Sequence, residues 1–185
     1  MKWTPLAHVE NMALTPELQE WLSDKGSLTQ RLRKLSSEHL QLSLLSAQWE
    51  ELSPNNCEYL KVEAQQAWCR TVIFSHDNKL WEWAKTVIPH NSLTAETKVL
   101  FQWGNQPLGD LLFTDPSLYR SDFEFRRVAE EENFYREISI LYSSSVPSSF
   151  LMRRSLLYFR QKPLMIYECF LPDLLRKITE ICLHA

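Results

Sequence analysis

The sequence predicts an α+β fold, a single antiparallel β-sheet with helices packed against it, as one domain over residues 1–185. Three observations predict it. Residues 152–172, MRRSLLYFRQKPLMIYECFLP, read as two strands around a tight turn at 160–163. Residues 63–88 read as a second long hairpin turning at His76-Asp77-Asn78-Lys79. Helix-start signatures stand at Thr15-Pro16, at Ser27-Leu28-Thr29-Gln30 and at Pro107-Leu108-Gly109-Asp110.

Taken in order, residues 1–14 predict an irregular lead-in anchored by Trp3. Thr15 caps a helix with Pro16 at its first position, Leu18, Trp21 and Leu22 form its apolar stripe, and Gly26 ends it. Ser27 and Gln30 fit a capping box for a second helix that buries Leu28, Leu32 and Leu35. Residues 40–49 take strand spacing with a slip after Leu44, and Ser53-Pro54-Asn55-Asn56 predicts a loop. The first long hairpin places Trp68, Arg70, Val72 and Phe74 on one face, and Pro89 ends its second strand. Residues 91–103 predict a helix capped by Ser92 or Thr94, broken at 104–107, with a short helix to follow that buries Leu108, Leu111 and Leu112. Asp115-Pro116 is a turn, residues 118–128 a strand, 129–133 an acidic turn, and 134–142 a further strand by its alternation. A Ser-rich loop over 143–149 leads into the last hairpin, and Asp173 starts a terminal amphipathic helix.

Composition removes several function classes. The chain has 185 residues, 44 % hydrophobic and 23 % charged, with a formal net charge of −3, so it offers nucleic acid no basic footprint. No apolar run is long enough for stable membrane insertion, and the N-terminus lacks a signal core. Cys57, Cys69, Cys169 and Cys182 form no framework, which predicts free thiols and a cytoplasmic protein. The scattered histidines His8, His39, His76, His90 and His184 give no metal-ligand spacing, and 3 Gly hardly build a glycine-rich phosphate cradle.

Two charges break the apolar pattern. Glu168 shares a strand face with Leu164, Ile166 and Phe170, and Arg70 shares one with Trp68, Val72 and Phe74. A lone buried carboxyl is partnered by an arginine, held neutral, or engaged in chemistry. Arginine forks a carboxylate, and the open helix starts at Leu28 and Leu108 offer backbone N–H groups. These parts suit a small anionic organic ligand in an otherwise apolar pocket.

The same residues carry a resemblance. The sequence resembles bacterial chorismate–pyruvate lyases, which make 4-hydroxybenzoate for ubiquinone synthesis. It does so through Arg153-Arg154-Ser155, Lys162-Pro163-Leu164, Glu168 and Phe170-Leu171-Pro172, through PLGDLLF at 107–113, and more weakly through 20–32, Trp68-Cys69-Arg70 and 86–89. The resemblance implies a ligand enclosed under flaps of helix and loop, with Glu168 at its ring hydroxyl, Arg70 on a carboxylate, and backbone groups at Leu28 and Leu108 completing the site. It further implies a cofactor-free, metal-free carbon–oxygen lyase, a monomer whose partners are chorismate and 4-hydroxybenzoate. Glu168 is expected both to orient the hydroxyl and to assist protonation of the leaving enolpyruvyl group. Lys85 stands where the family usually has arginine, which implies an altered secondary anion contact. Residues 128–150 are longer than usual, and the chain runs on past Pro172. The alternative is a non-catalytic, sensor-like domain of the same fold that binds small aromatic acids.

Overall fold

The computed structural model describes residues 2–5, 8, 14–143 and 145–182, the side chain of Cys182 excepted. His184 and most of the predicted lead-in lie outside them. Among the described residues one antiparallel sheet is built from β1 (Thr4–Pro5), β2 (Gln41–Glu51), β3 (Gln66–His76), β4 (Lys79–Pro89), β5 (Tyr119–Arg120), β6 (Glu124–Ala129), β7 (Ser149–Phe159) and β8 (Lys162–Phe170). Its order is β1-β6-β7-β8-β4-β3-β2, and β5 also pairs with β7. The helices are α1 (Pro16–Ser23), α2 (Leu28–Leu35), α3 (Pro54–Leu60), α4 (Val99–Gln102), α5 (Leu108–Leu112), α6 (Asn133–Ser139) and α7 (Pro172–Cys182).

Local chemistry explains the hairpins and caps. Asp77-Asn78 and Arg160-Gln161 all take positive φ, the geometry of two-residue turns whose twist matches the strands. Thr15 accepts the Leu18 N–H, and Ser27 accepts the Gln30 N–H. Helix α1 stops sooner than predicted, since Asp24 is already extended and its carboxylate accepts the Gly26 N–H. Helix α7 begins at Pro172, one residue before Asp173.

Four expectations need correction. The predicted loop at 53–56 is the start of α3, with Ser53 accepting the Asn56 N–H and Pro54 at the first turn. The predicted strand at 134–142 is α6. There Tyr135 and Ile138 are buried at i, i+3, a spacing that the alternation of Phe134, Arg136 and Ile138 masks. The single strand at 118–128 is two pieces, β5 and β6, both paired to β7. Over 91–103 only Val99–Gln102 is α-helical; Ser92 instead donates to the Pro163 carbonyl, and buried Thr97 bonds both Ser92 and Thr94.

Apart from the edge strand β2, which has no buried residue, the sheet carries helices on both faces. One buries Cys69, Trp83, Met152, Met165 and Tyr167 against α3 and α6. The other carries α1, α2 and α7 over Phe74, Leu151 and Phe170, and α4 and α5 over Leu157 and Leu164. Glu168 and Arg70 belong to this second face: Glu168 stands opposite Ala84, Ala84 opposite Val72, and Arg70 is two residues along from Val72.

Candidate active site

Glu168 has two arginine partners. Arg153, directly opposite on β7, donates from Nε to Oε2 at 2.7 Å and from Nη2 to Oε1 at 3.0 Å. Arg120 of β5 donates from Nη2 to Oε2 at 2.6 Å. Arg153 also bonds the Leu22 carbonyl, and Arg120 bonds Ser155 Oγ and the Gly26 carbonyl, so both guanidinium groups are oriented from several sides. Glu168 is 5 % exposed and Arg153 1 %. Burial alone would push the Glu168 carboxyl up, but the two arginines outweigh it and hold the carboxyl below the usual carboxylate range. Burial lowers Arg120 to about 10. The arginine-paired reading of Glu168 therefore holds. Three of its four lone-pair positions are taken; one, on Oε1, is left.

In front of Glu168 lies a narrow hollow of about 50 Å³, room for a few water molecules. Glu82, Thr86 and Arg120 share its wall, and the starts of α2 and α5 roof it through Leu28, Thr29, Leu108 and Gly109. Gly109 allows this closure: a Cβ there would sit 3.2 Å from both Ser27 Oγ and Thr29 Oγ1. Outside the contact, Arg33 of α2 forks Asp110 of α5 at 2.7 and 2.6 Å. Thus three of the four predicted site residues, Glu168, Leu28 and Leu108, line one hollow.

Arg70 is 5 % exposed on the same sheet face, but its guanidinium turns to the chain leading into α5. Nε and Nη2 donate to the Gly104 carbonyl at 3.2 and 3.0 Å, and Nη2 to the Gln106 carbonyl at 2.7 Å. It is not in the wall of the hollow. Among the described residues no carboxylate pairs with it, and burial pulls its guanidinium below the usual arginine range. Lys85 points to the opposite face, where it pairs with Glu50 at 2.9 Å and Glu137 at 3.5 Å beside an open cleft of about 930 Å³. The secondary anion contact expected from it is therefore not at the hollow.

Sequence reasoning missed Arg153, Arg120 and Glu82. Arg153 was within reach: a hairpin turning on Arg160-Gln161 sets residue 168 opposite 153. Glu82 was hidden by a bulge. Counting back from the Asp77-Asn78 turn pairs residue 82 with 73, whereas a register shift between Phe74 and Ser75 pairs it with Phe74 and brings it to the Glu168 face. Arg120 sits on a two-residue strand that no periodicity marks.

An antiparallel sheet roofed by two helix starts, with a carboxylate paired to buried arginines beneath, defines the class of this protein by its fold and site geometry. The comparisons give the particular family: residues 2–180 match the chorismate lyase profile, and the chain belongs to that family. A Coxiella burnetii protein named "Probable chorismate pyruvate-lyase" is 31 % identical over 93 % of this chain and 92 % of its own length. A protein of the same name from Pseudoalteromonas translucida is 35 % identical over 83 % of each chain. The crystal structure of PhnF from Mycobacterium smegmatis shares the fold, with a TM-score of 0.57 at 9 % identity over 81 % of this chain and 65 % of that one.

Proposed function

We propose that this protein converts chorismate to 4-hydroxybenzoate and pyruvate, the first committed step of ubiquinone biosynthesis, as a single-domain cytoplasmic monomer over residues 1–185. Family membership supports the reaction. The observation that carries it at the site is a charge imbalance. Arg120 and Arg153 face one ionised carboxylate, Glu168, which leaves one positive charge; Arg70, buried on the same sheet face without a carboxylate among the described residues, adds a second, and chorismate brings two carboxylates.

In this reading Arg70 exchanges its carbonyl partners for a substrate carboxylate, which it forks. Backbone N–H groups at Leu28 and Leu108 close over the ligand. Glu168, as the anion, accepts the ring hydroxyl at its remaining lone pair and fixes the ring's orientation. Loss of the enolpyruvyl group and of the neighbouring ring proton makes an aromatic product, so aromatisation drives the reaction without a cofactor. The protein's share is to orient the ring and to move the proton. Among the described residues no helix is long and apolar enough to cross a membrane.

Chorismate incubated with the purified protein is expected to yield 4-hydroxybenzoate and pyruvate in equal amounts, read by chromatography and a coupled pyruvate assay. Binding of 4-hydroxybenzoate without turnover of chorismate would favour the sensor-like alternative, and a different hydroxybenzoate isomer would redirect the reading to a related lyase.

A further inference from the structure

Glu82 is the second carboxyl of the hollow. It lines the same hollow from β4, is 2 % exposed, and its Oε2 has no hydrogen-bond partner. Phe74 flanks it on β3 and Phe170 on β8. A buried carboxyl oxygen without a partner destabilises a fold, so the structure alone gives no reason for a glutamate here.

The hollow therefore holds two carboxyl groups, at diagonal positions of adjacent strands, roughly 7 Å apart in ordinary sheet geometry. Their surroundings differ. Glu168 receives three charge-assisted bonds from two arginines, whereas Glu82 Oε2 receives none. Two such groups in one enclosed space do not ionise together; the better-partnered one takes the charge. Burial first, and the Glu168 charge second, hold the Glu82 carboxyl well above its usual range against the opposing pull of Arg153 and Arg120. Among the described residues these three are the charged groups that act on it. Beside the hollow α2 and α5 present apolar and hydroxyl side chains, and α7 packs Leu174 and Ile178 into the same cluster.

We propose that Glu82 is the catalytic proton donor of this hollow, giving its carboxyl proton to the enolpyruvyl ether oxygen of chorismate while Glu168 holds the ring hydroxyl. The inference rests on the chorismate reading above. As the ring C–O bond breaks, its electron pair leaves on oxygen, which takes the Glu82 proton and departs as the enol of pyruvate. The C–H bond at the hydroxyl-bearing carbon gives its pair to the ring, completing the aromatic sextet, and its proton passes to the Glu82 carboxylate. The enol tautomerises to pyruvate. Nothing is gained or lost overall, and Glu82 ends protonated, as it began. The proton-transfer duty first expected of Glu168 thus falls to its neighbour across the strand pair.

The test compares the full-length wild type with Glu82→Gln and Glu82→Leu. It reads kcat and KM against pH, 4-hydroxybenzoate affinity by tryptophan fluorescence, and Tm. Both variants are expected to lose about a hundredfold or more in kcat while keeping product affinity within about threefold. Wild-type kcat falls at alkaline pH as Glu82 ionises; the residual activity of the variants stays flat there. The leucine variant, freed of a buried unpartnered oxygen, keeps or raises Tm, so activity and stability move apart. A kcat within about threefold of wild type in either variant overturns the proposal, and so does a parallel fall of kcat and Tm in both. A wild type that makes no 4-hydroxybenzoate overturns the chorismate reading, and the donor role falls with it; an active wild type with unaffected variants overturns the donor role alone.

Discussion

Arg153 and Glu168 face each other across the β7–β8 ladder and share two hydrogen bonds, of 2.7 and 3.0 Å, in an almost fully buried fork. The pair serves more than the sheet. Its third arm, from Arg153 to the Leu22 carbonyl, ties the end of α1 to the hollow, so the carboxylate is aimed by the same side chain that docks the helix above it.

Removing that side chain strands a buried charge. Arg153→Met is expected to destabilise the fold by about 3–5 kcal/mol, because Glu168 keeps Arg120 but loses its fork. Urea unfolding of the variant beside wild type measures it. A loss under about 1 kcal/mol would mean that Arg120 alone carries the charge.

How much of this was readable from sequence differs by element. Both long hairpins carried turn residues whose identity forces the geometry, and Glu168 and Arg70 showed themselves as charges in apolar runs. Leu28 and Leu108 were legible as helix starts, and the structure brings those starts together. What failed was long-range or register-dependent. Arg120 reaches Glu168 across 48 positions of chain, and one bulge after Phe74 moves Glu82 between faces. Helix α6 was lost because its two buried residues, Tyr135 and Ile138, are three apart, while the alternation of Phe134, Arg136 and Ile138 imitates a strand over so short a span.

The two carboxyls oppose each other in their pH dependence. Glu168, lowered below 4.5, contributes stability that is complete above that value and is lost as pH falls through its folded pKa. Glu82, raised well above 4.5, contributes stability that is complete below that value and is lost as pH rises toward its folded pKa. Glu82→Leu removes the second slope. Its Tm advantage over wild type is expected to grow between about pH 5 and pH 8, with scanning calorimetry as the measurement. Parallel curves would show that Glu82 is not held protonated by the fold.

The Arg33–Asp110 fork ties the last turn of α2 to the first turn of α5 beside the hollow. Each side chain is about one third exposed, 33 % and 32 %, so the contact is worth about 1 kcal/mol rather than the value of a buried pair. Enclosure predicts slow product escape and inhibition by 4-hydroxybenzoate. Arg33→Ala is expected to speed product release about fivefold and to relieve that inhibition in proportion, with Tm shifted by only a few degrees. Stopped-flow release of 4-hydroxybenzoate, followed by tryptophan fluorescence, is the measurement. Unchanged release would mean that the roof opens elsewhere.

Arg70 separates two duties that one side chain combines. It anchors the chain at Gly104 and Gln106, just before α5, and it is the buried guanidinium without a carboxylate among the described residues. Arg70→Lys keeps the charge but not the planar fork, so a single ammonium replaces three hydrogen bonds. It is expected to weaken 4-hydroxybenzoate binding about tenfold or more, because the carboxylate loses bidentate capture, with little change in Tm. Arg70→Met removes the charge as well, leaves the two carbonyls unsatisfied, and is expected to lose about a hundredfold in affinity together with some stability. Titration of both variants with 4-hydroxybenzoate and with benzoate separates the duties. If Arg70 forks the carboxylate, both ligands weaken equally, since they share that group and differ only at the hydroxyl held by Glu168. Selective weakening of 4-hydroxybenzoate would place Arg70 at the wrong end of the ligand.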